Sequence, residues 1–144
     1  MTTQEDNKAV VHDFIEALFT KGDLSAVDRY LAAGFVAHDA PMPGASGDAA
    51  GFRGTAMQVR AAFPDWHSDL HLLLAEGDYV VEQFTASGTH RGEFMGAAPT
   101  NRAVAVPGIN IFRVRDGQIV ERWGNLDVLG FLTQLGVVAV PART

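Results

Sequence analysis

The apolar residues of this 144-residue chain change their period once, at Trp66, and that change limits the folds open to it. Before it, Val10, Val11, Phe14, Ile15, Leu18 and Phe19 recur at helical spacing and predict an amphipathic first helix ending near Lys21-Gly22. "GDLSAVDRYLAAGF" predicts a short second helix, capped by Asp23 or Ser25, with Val27, Tyr30 and Leu31 on its inner face. "FVAHDA" reads as a brief strand stopped by the loop "PMPGASGD", and "AAGFRGTAMQVRAAF" as a third helix closed by Pro64. Beyond Trp66, "HSDLHLLLAEGDYVVEQFTASGTHRG" predicts two strands about a Gly77-Asp78 turn, and "FMGAAPTNRA" a loop. "VAVPGINIFRVRDGQIVERWG" predicts a hairpin about Asp116-Gly117, with a short helix after it.

Three N-terminal helices followed by a strongly curved, mostly antiparallel sheet make an α+β chain with the helices on one sheet face. No repeat, low-complexity tract or linker interrupts the order, so residues 1–144 are expected to form a single domain. A half-barrel of sheet wrapped over helices leaves a cone-shaped apolar cavity, and such cavities are sites for small hydrophobic molecules.

Charge and residue types exclude several functions. The formal net charge of -6, with no basic cluster, removes nucleic acid as the main partner. The chain has no cysteine, which removes disulfides, thiolate nucleophiles and Cys-ligated zinc. "MTTQEDNKAV" is polar and acidic, unlike a signal or transit peptide, and no apolar run approaches the roughly 20 residues of a membrane span. A soluble, cytoplasmic protein with no membrane partner is expected. His67, Asp69 and His71 alternate on one strand, but a two-residue spacing with a single carboxylate reads as a solvated face, so no metal site is expected.

Four stretches, "FPDWHSDLHLLLAEGDYVV", "GTHRGEFMGAAPTNRAV", "INIFRVRDGQIVERWGNLD" and "LTQLG", together resemble the SnoaL-like polyketide cyclase family of the nuclear transport factor 2-like superfamily. They span roughly positions 63 to 136. The resemblance implies a cone-shaped α+β fold, a homodimer through the sheet, chemistry without a cofactor, and a polyketide-like substrate. In the aldol cyclases of that family an aspartate at the end of the last strand is the acid/base, assisted by a histidine on the preceding strand. Aligning the "RVRDGQI" turn puts those positions at Gly124 and Asn110, and neither residue titrates.

Candidate residues are therefore sought nearby. If Asp116-Gly117 is a two-residue type I′ turn, Asn110 lies opposite Trp123. If Arg115-Asp116-Gly117 forms a type I turn with a glycine bulge, Asn110 lies opposite Arg122 and Phe112 opposite Val120. The bulged form suits the resemblance, since it turns both cyclase positions to one face. It predicts Asn110, Phe112, Val120 and Arg122 inward, and Ile109, Ile111, Glu121 and Trp123 on the opposite, dimer-forming face.

Asp127 suits a helix N-cap ahead of Val128, Leu129, Phe131, Leu132 and Leu135; alternatively it stands in for the missing aspartate. His38, just before the flexible loop, suits a general base, while Arg122, Asn110 or Asn125 suits an enolate oxygen. His90 could orient a carbonyl or close a strand end. Met57, Phe63, Trp66, Phe94, Phe112 and Trp123 offer thioether and aromatic surface, with Trp66 and Phe94 near the cone mouth.

Three readings follow. The first is an acid–base enzyme closing a ring of a polyketide-like chain by aldol chemistry, with a hydroxylase of polycyclic polyketides as its close competitor. The second is a non-catalytic small-ligand-binding dimer, to which Gly124 and Asn110 both point. An epoxide hydrolase ranks last, because its Asp–Arg–Asp relay would find only Arg122 and Asp127.

Overall fold

The computed structural model describes residues 3–139. Helix α1 (Thr3–Ile15) runs into a π-helical turn (Glu16–Thr20), and the two bury Val11, Phe14 and Leu18 completely. Gly22, at φ +72°, ends this segment in the left-handed region that glycine enters without steric cost. Helix α2 (Ala26–Tyr30) starts at Ser25, whose side chain makes no capping bond; Asp23 instead accepts from the Ser25 amide and hydroxyl at 3.0 and 2.6 Å. Leu31, expected on that helix, opens strand β1 (Leu31–Ala37) and packs into the same core. The strand thus begins four residues before the predicted Phe35 and ends just short of His38.

Asp48 caps α3 (Ala49–Ala62), accepting from the Gly51 amide at 2.9 Å. Strands β2 (His67–Glu76) and β3 (Tyr79–Thr89) follow, then β4 (Ala103–Arg115), β5 (Gln118–Leu126) and helix α4 (Val128–Gln134). The five strands form one sheet in the order β1-β5-β4-β3-β2. All neighbours are antiparallel except β1 and β5, so the first strand forms one edge of an open sheet, beside the last.

Register fixes which side chains look inward. On β3 the buried positions include Val80, Glu82, Phe84 and Ala86; on β4 they include Val104, Val106, Asn110, Phe112 and Val114. A bulge at His71 switches β2, so Leu73 and Ala75 reach the core while Leu72 and Leu74 stay exposed. His67, Asp69 and His71 are exposed, and no group of three or more metal-ligand residues forms among the described residues. None of the helices among them is long and apolar enough to cross a membrane.

The last hairpin corrects the expected turn. Arg115 pairs with Gln118 across a two-residue turn in which Asp116 and Gly117 have φ of +50° and +77°, the signature of type I′. The bulge lies further along, at Val120, and brings Asn110 opposite Gly124 and Phe112 opposite Arg122. Asn110, Phe112 and Arg122 are buried on the inner face; Ile119, not Val120, is the buried residue beside the bulge.

Helices and inner sheet face bury two apolar clusters. One gathers Phe14, Leu18, Phe52, Phe112 and Ile119; the other gathers Phe63, Trp66, Phe84, Phe94 and Phe131. The cavity lies at their seam.

Candidate active site

That cavity measures about 70 Å³ and is walled by both clusters, including Phe52, Val59, Trp66, Phe84 and Phe131. Its polar wall comes from one row across the sheet, in which Glu82 on β3 faces Asn110 on β4, and Asn110 faces Gly124 on β5. Asn110 Nδ2 donates to Glu82 Oε1 at 2.9 Å. Arg122, two residues before Gly124 and on the same face, donates from Nε and Nη2 to Asn110 Oδ1 at 3.1 and 2.7 Å. Asn110 is thereby fixed with its oxygen to the cation and its amine to the carboxylate.

Glu82 is 2% exposed, Asn110 5% and Arg122 6%. Burial pushes the Glu82 carboxyl above its ordinary value, against the lowering effects of the Asn110 hydrogen bond and the nearby Arg122 charge. Burial also lowers Arg122 to about 10, which leaves it charged at neutral pH. Its guanidinium carbon sits 5.3 Å from the centroid of the Phe52 ring. Arg122 Nη1 reaches out of the row and donates to the carbonyl of Asp39 at 2.7 Å. The loop carrying Asp39 roofs the cavity with Pro41 and Met42, and its neck is tied by the Ala37 amide donating to the Gly47 carbonyl at 3.0 Å.

Gly124 explains how this fits. A Cβ there would collide with Asn110 Oδ1 and Arg122 Nη2, and would lie 2.6 Å from Arg122 Cζ. The guanidinium occupies the space a side chain at 124 would take.

Of the residues singled out in the sequence, Arg122, Asn110 and Trp66 line this cavity. His38 lies on the opposite sheet face, with Nε2 2.8 Å from Glu121 Oε2 and its ring stacked at 4.7 Å on Trp123. The Arg113 hydrogen bond, with His38 second, holds the Glu121 carboxyl below its ordinary value. Asp127 is exposed and caps α4, accepting from the Gly130 amide at 2.9 Å. With Trp123 and Asn125 it borders a shallow groove on the outer face instead of the cavity.

Phe63 and Phe94 are core residues behind the wall, and Phe112 belongs to the core beside Phe14. His90 is fully buried, stacked on Phe63, and accepts at Nδ1 from the Thr100 amide at 3.2 Å while its backbone closes the strand end against Arg102 and Asn101. Met57 points to solvent, 53% exposed.

Glu82 is the residue that sequence reasoning passed over. Its signal was the alternation Val80, Glu82, Phe84, Ala86, which places one carboxylate in an otherwise apolar stripe. Thr55 of α3, facing the same cavity, was missed as well.

Comparisons with known proteins agree with this architecture. Residues 9–135 match the family model described as SnoaL-like polyketide cyclase. IdmH from Streptomyces antibioticus, described as a proposed polyketide cyclase, is 36% identical with a TM-score of 0.77, over 91% of this chain and 99% of that one. AclR from Streptomyces galilaeus, described as a proposed hydroxylase, is 26% identical with a TM-score of 0.84, over 95% and 100%. TsrD from Streptomyces laurentii is 26% identical with a TM-score of 0.82, over 96% and 100%. No curated protein sequence matches the chain.

Proposed function

Because this chain belongs to the SnoaL-like polyketide cyclase family, we propose that it is an acid–base enzyme that enolises a carbonyl compound and guides its ring closure. One observation carries the reading: a buried carboxylate, an amide and a guanidinium joined in a single hydrogen-bonded row on the wall of an apolar cavity. Glu82 is the proton carrier. Its Oε2 accepts no hydrogen bond from any described residue and is the oxygen available to a substrate. The raised carboxyl is basic enough to take a proton from carbon next to a carbonyl and acidic enough to return it.

As that proton leaves, charge collects on the carbonyl oxygen. Arg122 and the second Asn110 amine hydrogen are the donors for it, held in place before the reaction begins. The enolate carbon then attacks a second carbonyl of the same chain, and the proton held by Glu82 passes to the new alkoxide. Asn110 fixes the separation between base and cation, which gives Gly124 no catalytic part beyond leaving room.

Deuterium exchange at the α-carbon of cyclohexanone in D2O tests the first step. We expect the wild type to accelerate it and Glu82→Gln to lose that acceleration while keeping its fold. A hydroxylase is the second reading, supported by the likeness to AclR. It predicts dioxygen uptake in step with product, whereas ring closure consumes none. A binder without chemistry would retain ligand and show no exchange in either protein.

We also propose a homodimer through the outer sheet face. Leu74, Val81, Ile111 and Trp123 stand in one register row there, and Leu72, Leu74, Ile109 and Ile111 are each more than a third exposed. A contiguous apolar stripe of this kind calls for a partner. Sedimentation of Ile111→Glu as a monomer, against a dimeric wild type, is the expected result.

A further inference from the structure

Threonine hydroxyls inside helices ordinarily turn back to a carbonyl in the preceding turn. Thr133 of this chain does so, donating to the Leu129 carbonyl at 2.8 Å. Thr55 does not. It is 5% exposed, it lines the cavity, and its Oγ1 has no hydrogen-bond partner among the described residues. The other buried unpartnered side-chain atom, His90 Nε2, is not on the cavity wall.

Thr55 lies one turn beyond Phe52 on the same face of α3, and the Phe52 ring is the seat of the Arg122 guanidinium. The helix wall therefore carries a lone hydroxyl one turn from the ring that seats the cation, separate from the sheet-borne row of Glu82, Asn110 and Arg122. All the other α3 residues on this wall are apolar. A buried hydroxyl left unpaired is unfavourable, and a ligand that pairs it is favoured over one that does not.

We infer that Thr55 is a specificity-determining residue, binding a second oxygen of the substrate distinct from the carbonyl that faces Arg122. The substrate class is then a compound with two oxygen functions, carbonyl or hydroxyl, on one small carbon skeleton, bridging helix and sheet. A mono-oxygenated hydrocarbon of the same size would leave Thr55 unpaired and bind less well. The inference rests on the reading above, in which the enolising carbonyl faces Glu82 and Arg122.

The test uses three neutral probes with the intact protein: cyclohexanone, 4-hydroxycyclohexanone and cyclohexane-1,4-dione. Their dissociation constants are measured by NMR titration against wild type, Thr55→Val and Thr55→Ser. The wild type is expected to favour both two-oxygen probes over cyclohexanone about tenfold, an interval typical of one hydrogen bond. Thr55→Val should reduce that preference to near parity, and Thr55→Ser should restore most of it. Equal affinity of the wild type for all three probes, or an undiminished preference in Thr55→Val, overturns the assignment.

The α-proton exchange of cyclohexanone separates this inference from the catalytic reading. Glu82→Gln should lose that exchange, while the Thr55-dependent preference is read from the dissociation constants alone. A wild type that binds with the Thr55-dependent preference but exchanges no protons refutes the enolisation and leaves the second anchor standing.

Discussion

Gly124 lies directly across the last hairpin from Asn110, and the guanidinium of Arg122 fills the space where a side chain at 124 would stand. The position that carries the acid/base aspartate in related aldol cyclases is thus the position that must be empty for this polar row to form. Gly124→Asp should lower activity. The new carboxylate would displace Arg122 from Asn110, and overpacking at a tight site costs about 1–3 kcal/mol. Chemical denaturation and α-proton exchange should both fall; an aspartate variant more active than wild type would refute the arrangement.

Glu82→Gln should cut turnover by about 10² to 10⁴, the usual worth of a positioned proton carrier. Its effect on stability has a definite sign. The carboxyl is raised above 4.5 in the folded protein, so the folded state binds its proton more tightly than the unfolded chain does. The stability this contributes is fully present below about pH 4.5 and is lost as pH rises through the raised value. Glutamine, always neutral, lacks that loss. Denaturation across pH 4 to 8 should show the variant gaining on the wild type as pH rises.

Arg122→Gln should weaken the roof as well as the site. It removes the donor to the Asp39 carbonyl and leaves Asn110 Oδ1 unpaired, a penalty of about 1–3 kcal/mol for a buried acceptor. Hydrogen exchange should quicken at the backbone amides of the 39–47 loop and leave β3 unchanged. Uniform quickening across the sheet would count against the latch.

His38→Asn and Asp127→Asn should leave turnover within about twofold of wild type, since neither side chain reaches the cavity. Asp127→Ala should lose about 1 kcal/mol through the lost cap, and asparagine, itself a good cap, should lose much less. A hundredfold fall in turnover for either asparagine variant would return these residues to the site.

The chain's local signals were legible, and its long-range ones were not. The change of period at Trp66, the Asp116-Gly117 turn and the Asp127 cap all follow from near neighbours in sequence. The bulges at His71 and Val120 carry no glycine or proline to mark them, and each moves the facing of the residues around it. Asn110 and Arg122 were found because the bulged register favoured from the sequence is two residues from the one that forms, so the two share parity. Glu82 was overlooked because a carboxylate in an apolar stripe gains meaning only when Asn110 and Arg122 arrive from strands about 30 and 40 residues away. Val36 and Ala37 pair with Glu121 and Arg122, and that parallel contact put His38 outside.

The pairing of β1 with β5 also spans the longest stretch of chain in the sheet. Its partners, from Leu31 with Ile119 to Ala37 with Arg122, lie farther apart in sequence than those of any other strand pair, and closing so long a loop carries the largest entropy cost. The antiparallel strands β2 to β5 can zip through neighbouring turns, assembling Glu82, Asn110 and Arg122 in sequence. Docking of β1 is what brings Asp39 to Arg122 and draws the roof over the row. The polar wall is therefore built by neighbouring strands, while its enclosure depends on the longest-range pairing in the sheet.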